Sequence, residues 1–528
     1  MQPIAESYDV VIIGAGHNGL VAASYLGRAG LSVLVLEGNA SIGGATRSKK
    51  VFPGMDARLS VYSYLISLFP RKIVDDLGLD LRLMSRETAS YTPSLAGGKL
   101  SELLISNVSE TRTRSSFHGL PGGVDDYRGY LKLQEMQESL AKVLWPTLLQ
   151  PLKSRKELVA ALSRDQHQAW EALIENPLGE IIEAHLSNDL VRGVVFTDAK
   201  IGVCTYAHDP SLLQNRTFLY HIIGQGTGEW RVPEGGMGSL VDSLEKCALG
   251  HGVTIQTAAS VSRIETSGKA ASVTFEVGER NQNVDTKYVL CNAAPAVLAE
   301  LLDDTPVPAD PADEGSVVKI NLLLKRLPKL MSKSVDPREA FSGTFHIDEG
   351  YDAMNANYRN AMAGQLADCP AGEMYCHSLT DNTILSKELK AKGYQTLTLF
   401  GLDMPYSAFE SDNAVLRTEV LSRYLSGINQ YTAEPIEACL ATDGDGDRCI
   451  EIKTPVDLEE EIHLPRGNIF HNALTWPFVE EEVEAGQWGV ETDLPNVFLC
   501  GSGARRGGAV SGVPGHNAAM RVLEFVLS

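Results

Sequence analysis

The sequence lacks every arrangement of cysteines that would indicate a metal site or a disulfide framework. Its eight cysteines include no C-x-x-C pair and no cluster with histidine at zinc-finger spacing. The acidic run DGDGD at 443–447 has Arg448 and Thr454 where a calcium loop needs glycine and glutamate. We therefore expect no metal, a reducing compartment, and cysteines that mostly fill the core.

Long hydrophobic runs and excess positive charge are also missing. No uninterrupted apolar run approaches 18 residues, so no transmembrane helix is expected. The first residues, MQPIAESYD, are expected to leave no room for a signal or transit peptide. A formal net charge of −21 argues against nucleic acid as a partner and against adsorption to anionic lipid. We expect a soluble, cytoplasmic protein that contacts a membrane only peripherally.

The clearest motif present lies near the N-terminus, between residues 9 and 37. An apolar run leads into Gly14, Gly16 and Gly19, spaced as G-x-G-x-x-G, and a helical pattern and a second apolar run ending on Glu37 follow. The glycines allow a tight turn, close approach of a pyrophosphate and close helix–strand packing, and Glu37 can accept hydrogen bonds from both ribose hydroxyls. This order predicts a diphosphate nucleotide without a 2′-phosphate, bound at a helix N-terminus.

A second glycine pair follows in residues 38–48, with Arg47 just beyond it. The pattern suits a loop passing close to a cofactor while the arginine faces phosphate or a flavin carbonyl. A surface turn with a solvated arginine is the alternative. The positions assigned to the cofactor in this part of the chain are Gly14, Gly16, His17, Asn18, Gly19, Glu37, Gly43, Gly44, Ala45 and Arg47.

The run from 10 to 47 resembles the N-terminus of the FAD-dependent amine-oxidase superfamily. The form GAGHNGLVAA, followed by IGGATRS and FPG, is similar to its phytoene desaturase and carotenoid isomerase-related branch. Within that branch it is most similar to relatives of the mammalian pyridine nucleotide-disulphide oxidoreductase domain proteins. The resemblance implies FAD as cofactor and places Val261 against the adenine through its backbone.

The C-terminal stretch from 495 to 527 carries a second cofactor signal. A strand runs into a glycine-rich loop, GSGARRGGAVSGVPG, and a helix is expected from about His516. The resemblance implies that this loop and helix start cradle the flavin ring, with backbone amides near Val513 and Pro514 facing its N1–C2=O edge. The positions assigned to the cofactor here are Gly501, Ser502, Gly512, Val513 and Pro514.

These segments predict an α/β fold, with a Rossmann-like FAD-binding domain of the glutathione reductase type and a discontinuous α+β substrate domain. Heptad-like apolar spacing predicts a helical insert, and alternating runs such as YQTLTLFGL predict an antiparallel sheet. The predicted division is cofactor domain 1–71, helical insert 72–228, cofactor domain 229–302, antiparallel sheet 303–465 and cofactor domain 466–528.

Two motifs that are absent from the sequence narrow the class of reaction. A second G-x-G-x-x-G and a redox C-x4-C, both expected in disulphide reductases of this fold, are missing. FAD is expected to bind without a covalent link. The resemblance then favours a dehydrogenase or desaturase that removes a hydride from a largely apolar small molecule, such as an isoprenoid or a secondary metabolite. An amine oxidase, a redox-neutral isomerase and a non-catalytic flavoprotein remain as alternatives.

Four side chains are assigned to catalysis. Arg505 and Arg506, beside the flavin loop, are expected to stabilise anionic reduced flavin, with a surface arginine pair as the alternative. His516 is expected to touch flavin or substrate, or else to have a structural role. Trp476, together with His471, is expected to form part of the wall of the substrate site.

Overall fold

The computed structural model describes residues 4–302 and 313–527. Two seven-stranded sheets and a helical layer make up most of this part of the chain. The strands are β1 (Ser7–Ile13), β2 (Val33–Leu36), β3 (Ser48–Lys50), β4 (Arg58–Ser60), β5 (Leu83–Met84), β6 (Thr88–Ala96), β7 (Lys99–Ser106), β8 (Val232–Pro233), β9 (Thr254–Gln256), β10 (Ala259–Thr266), β11 (Ala271–Val277), β12 (Arg280–Cys291), β13 (Val318–Leu324), β14 (Thr344–Ile347), β15 (Gly372–Tyr375), β16 (Gln395–Gly401), β17 (Ile450–Lys453) and β18 (Val497–Leu499).

The α-helices are distributed along the whole chain, and the longest uninterrupted series of them lies between β7 and β8. They are α1 (His17–Arg28), α2 (Arg71–Leu77), α3 (Glu110–His118), α4 (Gly123–Leu144), α5 (Arg155–Ala160), α6 (Arg164–Trp170), α7 (Leu178–His185), α8 (Asp189–Phe196), α9 (Leu213–Ile222), α10 (Gly238–Gly250), α11 (Pro295–Leu301), α12 (Pro337–Phe341), α13 (Tyr351–Met362), α14 (His377–Thr380), α15 (Lys387–Ala391), α16 (Tyr406–Phe409), α17 (Asn413–Asn429), α18 (Pro455–Ile462) and α19 (Val513–Leu527).

The first sheet has the parallel core that a nucleotide-binding domain needs. Its order is β10-β11-β12-β1-β2-β9, with β18 beside β12, and β18, β12, β1, β2 and β9 run parallel. All four residues of β2 are buried, as expected for a parallel strand covered on both faces. Strands from the N-terminus, the middle and the C-terminus of the chain therefore share one sheet, and the predicted α/β fold is confirmed.

The second sheet differs from the expectation of a purely antiparallel one. Its order is β17-β13-β16-β15-β14-β6-β7, and the pair β14–β6 is parallel while the other neighbours are antiparallel. The chain reaches β14 from β6 only after the whole helical layer and β8 to β13. A connection of that length allows either strand direction, whereas a short hairpin would force the antiparallel one.

Two strands of this sheet come from the range 72–228, which the sequence indicated as helical. Strands β6 and β7 form a hairpin closed by Gly97 and Gly98, whose φ values are +57° and +76°. Two consecutive residues with positive φ are typical of a type I′ turn, which matches the twist of a hairpin. The Gly-Gly pair between two alternating runs was the signal that identifies this hairpin.

Helices α3 to α9 form the helical layer, whose apolar core also includes side chains from the second sheet. The layer is fixed to the second sheet by a fully buried ion pair. Lys200 Nζ lies 2.7 Å from Asp403 Oδ1, and their side chains are 0% and 2% exposed. The same ammonium donates a hydrogen bond of 2.5 Å to the carbonyl of Thr205. Each charge therefore depends on the other to offset its loss of hydration.

Within residues 4–302 and 313–527, no helix combines the length and apolarity that crossing a bilayer requires. The same residues hold no group of three or more histidine, cysteine or acidic side chains placed to bind a metal ion.

We expect Asp403→Asn to destabilise the protein by about 3–5 kcal/mol, because it leaves the buried Lys200 ammonium without its counter-charge. Asparagine tolerates the positive φ of +53° at this position, so backbone strain does not contribute. The measurement is the midpoint of guanidinium unfolding. The matched control is Glu388→Gln, which breaks an exposed pair with Lys392 and should leave the midpoint in place. Equal midpoints for both variants would contradict the expectation.

Candidate active site

The turn between β1 and α1 is built from glycines because a positive φ is needed at one position and neighbouring atoms leave no room for a side chain at the other two. Gly14 has a φ of +94°, and a Cβ on Gly19 would lie 2.3 Å from the carbonyl oxygen of Gly14. A Cβ on Gly16 would lie 2.8 Å from Asn292 Nδ2. Among the described residues, no side chain caps the N-terminus of α1. Its first N–H groups are thus available to the phosphates of a nucleotide.

Glu37 stands at the carboxyl end of β2 with its carboxylate held in place. Its Oε2 accepts a hydrogen bond of 2.8 Å from the Ala15 N–H, and its Oε1 accepts one of 2.9 Å from the Asn39 N–H. The side chain lines a cavity together with Val261. A fixed carboxylate with lone pairs to spare suits the two ribose hydroxyls expected from the sequence.

The second glycine pair lies against the first motif. Gly43 has a φ of +109°, and its N–H donates a hydrogen bond of 2.8 Å to the Ala15 carbonyl. Arg47 is buried and its Nε donates to the Gly44 carbonyl at 3.0 Å, while Nη1 donates to the Ser41 hydroxyl at 3.1 Å. The alternative of a solvated arginine is therefore wrong, and Arg47 fixes the loop that passes the cavity.

The C-terminal loop meets the N-terminal motif through helix α19. A Cβ on Gly515 would lie 2.0 Å from the carbonyl oxygen of Asn18, so α19 packs directly on the backbone of α1. The helix begins at Val513, three residues earlier than expected. Ala509 and Val510 form the wall of the cavity here.

The assigned cofactor residues divide into two groups. Those that line the cavity are Gly14, Gly16, His17, Asn18, Glu37, Gly44, Ala45, Val261 and Ser502. Those that shape the turns and helix starts behind the lining are Gly19, Gly43, Arg47, Gly501, Gly512, Val513 and Pro514. Their individual contacts with the cofactor stay predictions.

The cavity, of about 780 Å³, continues from the nucleotide motifs into a chamber between the second sheet and the helical layer. The chamber walls are mainly aromatic and aliphatic. They include Tyr64, Leu65, Ile105, Tyr130, Val194, Val195, Ile201, Phe218, Ile222, Trp230, Val317 and Phe400. Such walls fit an apolar ligand body.

Two histidines line the cavity near the glycine-rich loops, and burial favours the neutral form of both at pH 7. Burial lowers the pKa of His17 to about 4, with His471 adding to the effect, and burial lowers the pKa of His471 to about 4. His17 Nδ1 is hydrogen-bonded to the Thr46 hydroxyl at 3.0 Å. Within the described chain, His471 Nδ1 and Asn18 Oδ1 are buried without a hydrogen-bond partner. Buried polar atoms of this kind at a cavity wall fit a polar cofactor that supplies their hydrogen bonds.

The chamber also contains ionisable side chains that sequence reasoning missed. They include Arg86, Glu138, Asp198, His221, Glu229, Lys319, His346 and Glu373. Lys319 interrupts the apolar run VVKINLLL, which was a usable signal for a buried polar site. No local pattern marks the others, because they reach the chamber from separate strands and loops.

Lys319 has a buried amine whose pKa lies near neutral pH. Its Nζ donates hydrogen bonds of 2.8 Å and 2.9 Å to the carbonyls of Ser60 and Ser63. Burial lowers the pKa of Lys319 to about 7, against an opposing influence from Glu451. Near pH 7 the group therefore exists in both its ammonium and its amine forms.

Glu373 and Tyr64 form a hydrogen-bonded pair at the same chamber wall. The Tyr64 hydroxyl donates to Glu373 Oε1, and the tyrosine ring lies 5.4 Å from the ring of Phe400. Burial raises the pKa of Glu373 to about 8. The carboxyl group is therefore mostly protonated and neutral at pH 7.

Neither assigned arginine lines the cavity within the described chain. Arg506 is buried and its guanidinium donates to the carbonyls of Thr147, Gln150 and Trp488, at 2.9, 2.6 and 2.6 Å. Arg505 donates to a backbone carbonyl and pairs with a glutamate of the preceding segment. Both guanidinium groups thus hold the glycine-rich loop against neighbouring segments.

The other two assigned residues also lie away from the cavity lining. His516 Nδ1 is hydrogen-bonded to Asn517 Oδ1 at 2.9 Å, and its ring packs edge-on against Tyr25 at 5.1 Å. The Trp476 ring stacks on Phe478 at 5.8 Å and packs against the helical-layer core. The companion wall residue, His471, does line the cavity.

Comparison with known proteins agrees with this geometry. Residues 19–346 match the family model for flavin containing amine oxidoreductase. An uncharacterized protein of Mycobacterium tuberculosis is 44% identical, over 99% of this chain and 98% of its own. The pyridine nucleotide-disulfide oxidoreductase domain-containing protein 2 of Mus musculus is 29% identical, over 98% and 93%. A limonene dehydrogenase polypeptide of Castellaniella defragrans is 22% identical, over 98% and 94%.

Solved structures share the fold at low sequence identity. A variant of putrescine oxidase superimposes with a TM-score of 0.60 at 17% identity, over 98% of this chain and 99% of its own. Cyclohexylamine oxidase from Brevibacterium oxydans gives a TM-score of 0.57 at 14% identity, over 99% and 100%. Because the family model covers more than half of the chain, the chain belongs to the flavin containing amine oxidoreductase family and is an FAD-dependent oxidoreductase.

Proposed function

We propose that this protein is a dehydrogenase or desaturase that removes a hydride from a C–H bond of a largely apolar small molecule. The observation that carries the proposal is the continuous cavity that joins the nucleotide motifs to an aromatic and aliphatic chamber. A substrate lying in the chamber would be held against the cofactor and shielded from water. The similarity to the limonene dehydrogenase polypeptide supports a hydrocarbon-like substrate.

Bound FAD supplies the hydride acceptor, and this chain's own residues supply orientation and a proton acceptor. The rings of Tyr64 and Phe400 present flat apolar surfaces that restrict how a substrate lies in the chamber. Desaturation also releases a proton from the neighbouring carbon, and the amine form of Lys319 is suited to accept it. Protonated Glu373 holds the Tyr64 hydroxyl and keeps negative charge out of this wall.

An amine oxidase is the second candidate, and the acidic residues of the chamber favour it. Asp198 and Glu229 line the cavity and would attract a cationic amine. The solved structures named above are described as amine oxidases. Because their sequence identity to this chain is low, the similarity shows a shared fold only.

An anaerobic absorbance experiment separates these candidates. Purified protein is reconstituted with FAD. Under anaerobic conditions it is then mixed with limonene, phytoene, putrescine or cyclohexylamine. We expect the flavin band near its visible maximum to bleach with a hydrocarbon and to persist with both amines. Dithionite serves as the control, because it shows that the bound flavin can be reduced. Bleaching by the amines alone would replace the desaturase proposal with the amine oxidase.

The role given to Lys319 predicts a pH dependence. With the hydrocarbon that bleaches the flavin, the anaerobic reduction rate at saturating substrate should rise through an apparent pKa of about 7, because the amine is the proton-accepting form. Lys319→Met should lower the rate by about 100-fold and remove this inflection. Stopped-flow absorbance is the measurement.

The matched control for that variant is Lys325→Met, which changes an exposed lysine just beyond the end of the same strand. It should keep both the rate and the inflection. Flavin content, measured for all three proteins, separates a loss of chemistry from a loss of cofactor. An unchanged inflection in Lys319→Met would give the proton-accepting role to another group.

A further inference from the structure

Arg86 brings a buried guanidinium to the wall of the chamber. It lies between β5 and β6, is buried, and lines the cavity. Its Nε donates a hydrogen bond of 3.1 Å to the Trp230 carbonyl, and its Nη1 donates one of 2.8 Å to the Thr344 hydroxyl. The guanidinium also lies over the ring of Tyr375, with 5.2 Å from Cζ to the ring centroid. These contacts fix its plane and direction.

The protein provides this cation with neutral hydrogen-bond partners. Within residues 4–302 and 313–527, no carboxylate lies within the 4.0 Å of an ion pair with Arg86. Glu229, which faces it at longer range, is engaged by the guanidinium of Arg231, with an Nη2–Oε2 distance of 2.5 Å. Glu373 at the same chamber is neutral near pH 7 because burial raises its pKa to about 8.

Asp198 is the remaining acid that faces Arg86. Burial raises the pKa of this carboxyl group, against opposing influences from His221 and from Arg86 itself. The nearby histidines cannot balance the guanidinium, because an imidazole is either neutral or cationic. Burial lowers the pKa of His221 and lowers that of His346 to about 3, which favours their neutral forms. Among the described residues, Asp198 and Glu229 thus face Arg86 only at longer range, and neither carboxylate pairs with it directly.

A guanidinium stays protonated in proteins, so burial cannot be relieved by losing the proton. Its cost is offset only by an opposite charge or by hydrogen bonds to all of its N–H groups. Within the described residues, Arg86 hydrogen bonds are formed by Nε and Nη1, which leaves the N–H groups of Nη2 and one of Nη1 for a ligand in the cavity that Arg86 lines. Two such groups match the two oxygens of a carboxylate in a bidentate pair.

We propose that the substrate carries a carboxylate, which Arg86 binds, while its apolar body extends along the chamber toward the cofactor. This proposal rests on the proposed function and narrows its substrate class to an amphipathic acid. An uncharged hydrocarbon would leave the cation unpaired, and an amine would place two cations in one chamber.

Three ligands with the same ten-carbon chain test the proposal in the FAD-loaded enzyme: decanoate, 1-decanol and decylamine. Binding is followed by isothermal titration calorimetry at pH 7.5 and by the accompanying shift of the flavin spectrum, so no turnover is required. We expect decanoate to bind about 10- to 100-fold more tightly than decanol, because charge-assisted hydrogen bonds have that strength. Decylamine should bind most weakly. Equal affinities for decanoate and decanol, or tightest binding of decylamine, would overturn the proposal.

Variants of Arg86 test whether the selectivity resides in this side chain. Arg86→Gln should lose the preference for decanoate while keeping the affinity for decanol, and Arg86→Lys should retain part of the preference through its charge. The control is Arg82→Gln, at an arginine whose side chain is 76% exposed and pairs with Glu234. It should bind all three ligands as the wild-type enzyme does. Full decanoate selectivity in Arg86→Gln would overturn the assignment.

The two proposals fail in different ways. Arg86-dependent binding of decanoate without flavin bleaching by any hydrocarbon or acid would remove the reaction and leave the carboxylate site. Bleaching by limonene or phytoene without selectivity for decanoate would retain the reaction and remove the site.

Discussion

The close approach of three backbone segments at the N-terminus of α1 is the constraint on which the rest of the structure depends. Gly19 packs on the carbonyl of Gly14, and Gly515 of α19 packs on the carbonyl of Asn18, with no room for a side chain at either contact. The first and last helices of the described chain are thereby joined face to face. The C-terminal glycine-rich loop and the turn between β1 and α1 consequently form one end of a single cavity.

The other end of that cavity is lined by ionisable side chains, and burial shifts the pKa values of several of them. The pKa of Lys319 falls to about 7 and that of Glu373 rises to about 8, in each case mainly through desolvation. Arg86 remains a cation whose protein partners are neutral. Stability alone would favour apolar residues at such positions, so a cluster of this kind at a cavity wall indicates a functional site. The aromatic surfaces around the cluster limit water and strengthen its electrostatic effects.

The positions of the two loop arginines illustrate how local sequence misleads. Residues Arg505 and Arg506 follow a glycine-rich turn, where an exposed cation near flavin was a reasonable expectation. The structure directs the Arg506 guanidinium to three backbone carbonyls, two of them in the segment that follows α4. That contact ties the helical layer to the C-terminal loop. Which way a side chain leaves a turn depends on φ, and Arg506 has a φ of +65° that neighbouring sequence does not specify.

The sequence by itself determined the α/β fold, the glycine turn between β1 and α1 and the place of Glu37 at the end of β2, because strand, glycines, helix and acid lie within 29 consecutive residues and interact locally. It also contained the signals for β6 and β7 in the Gly97–Gly98 turn. Only the tertiary structure decided the chamber, since Arg86, Lys319 and Glu373 come from three parts of the chain with no shared spacing. Their juxtaposition follows from the strand order of the second sheet, including its long-range parallel pair. Pairing across such distances is set by the packing of the whole domain, which local periodicity does not encode.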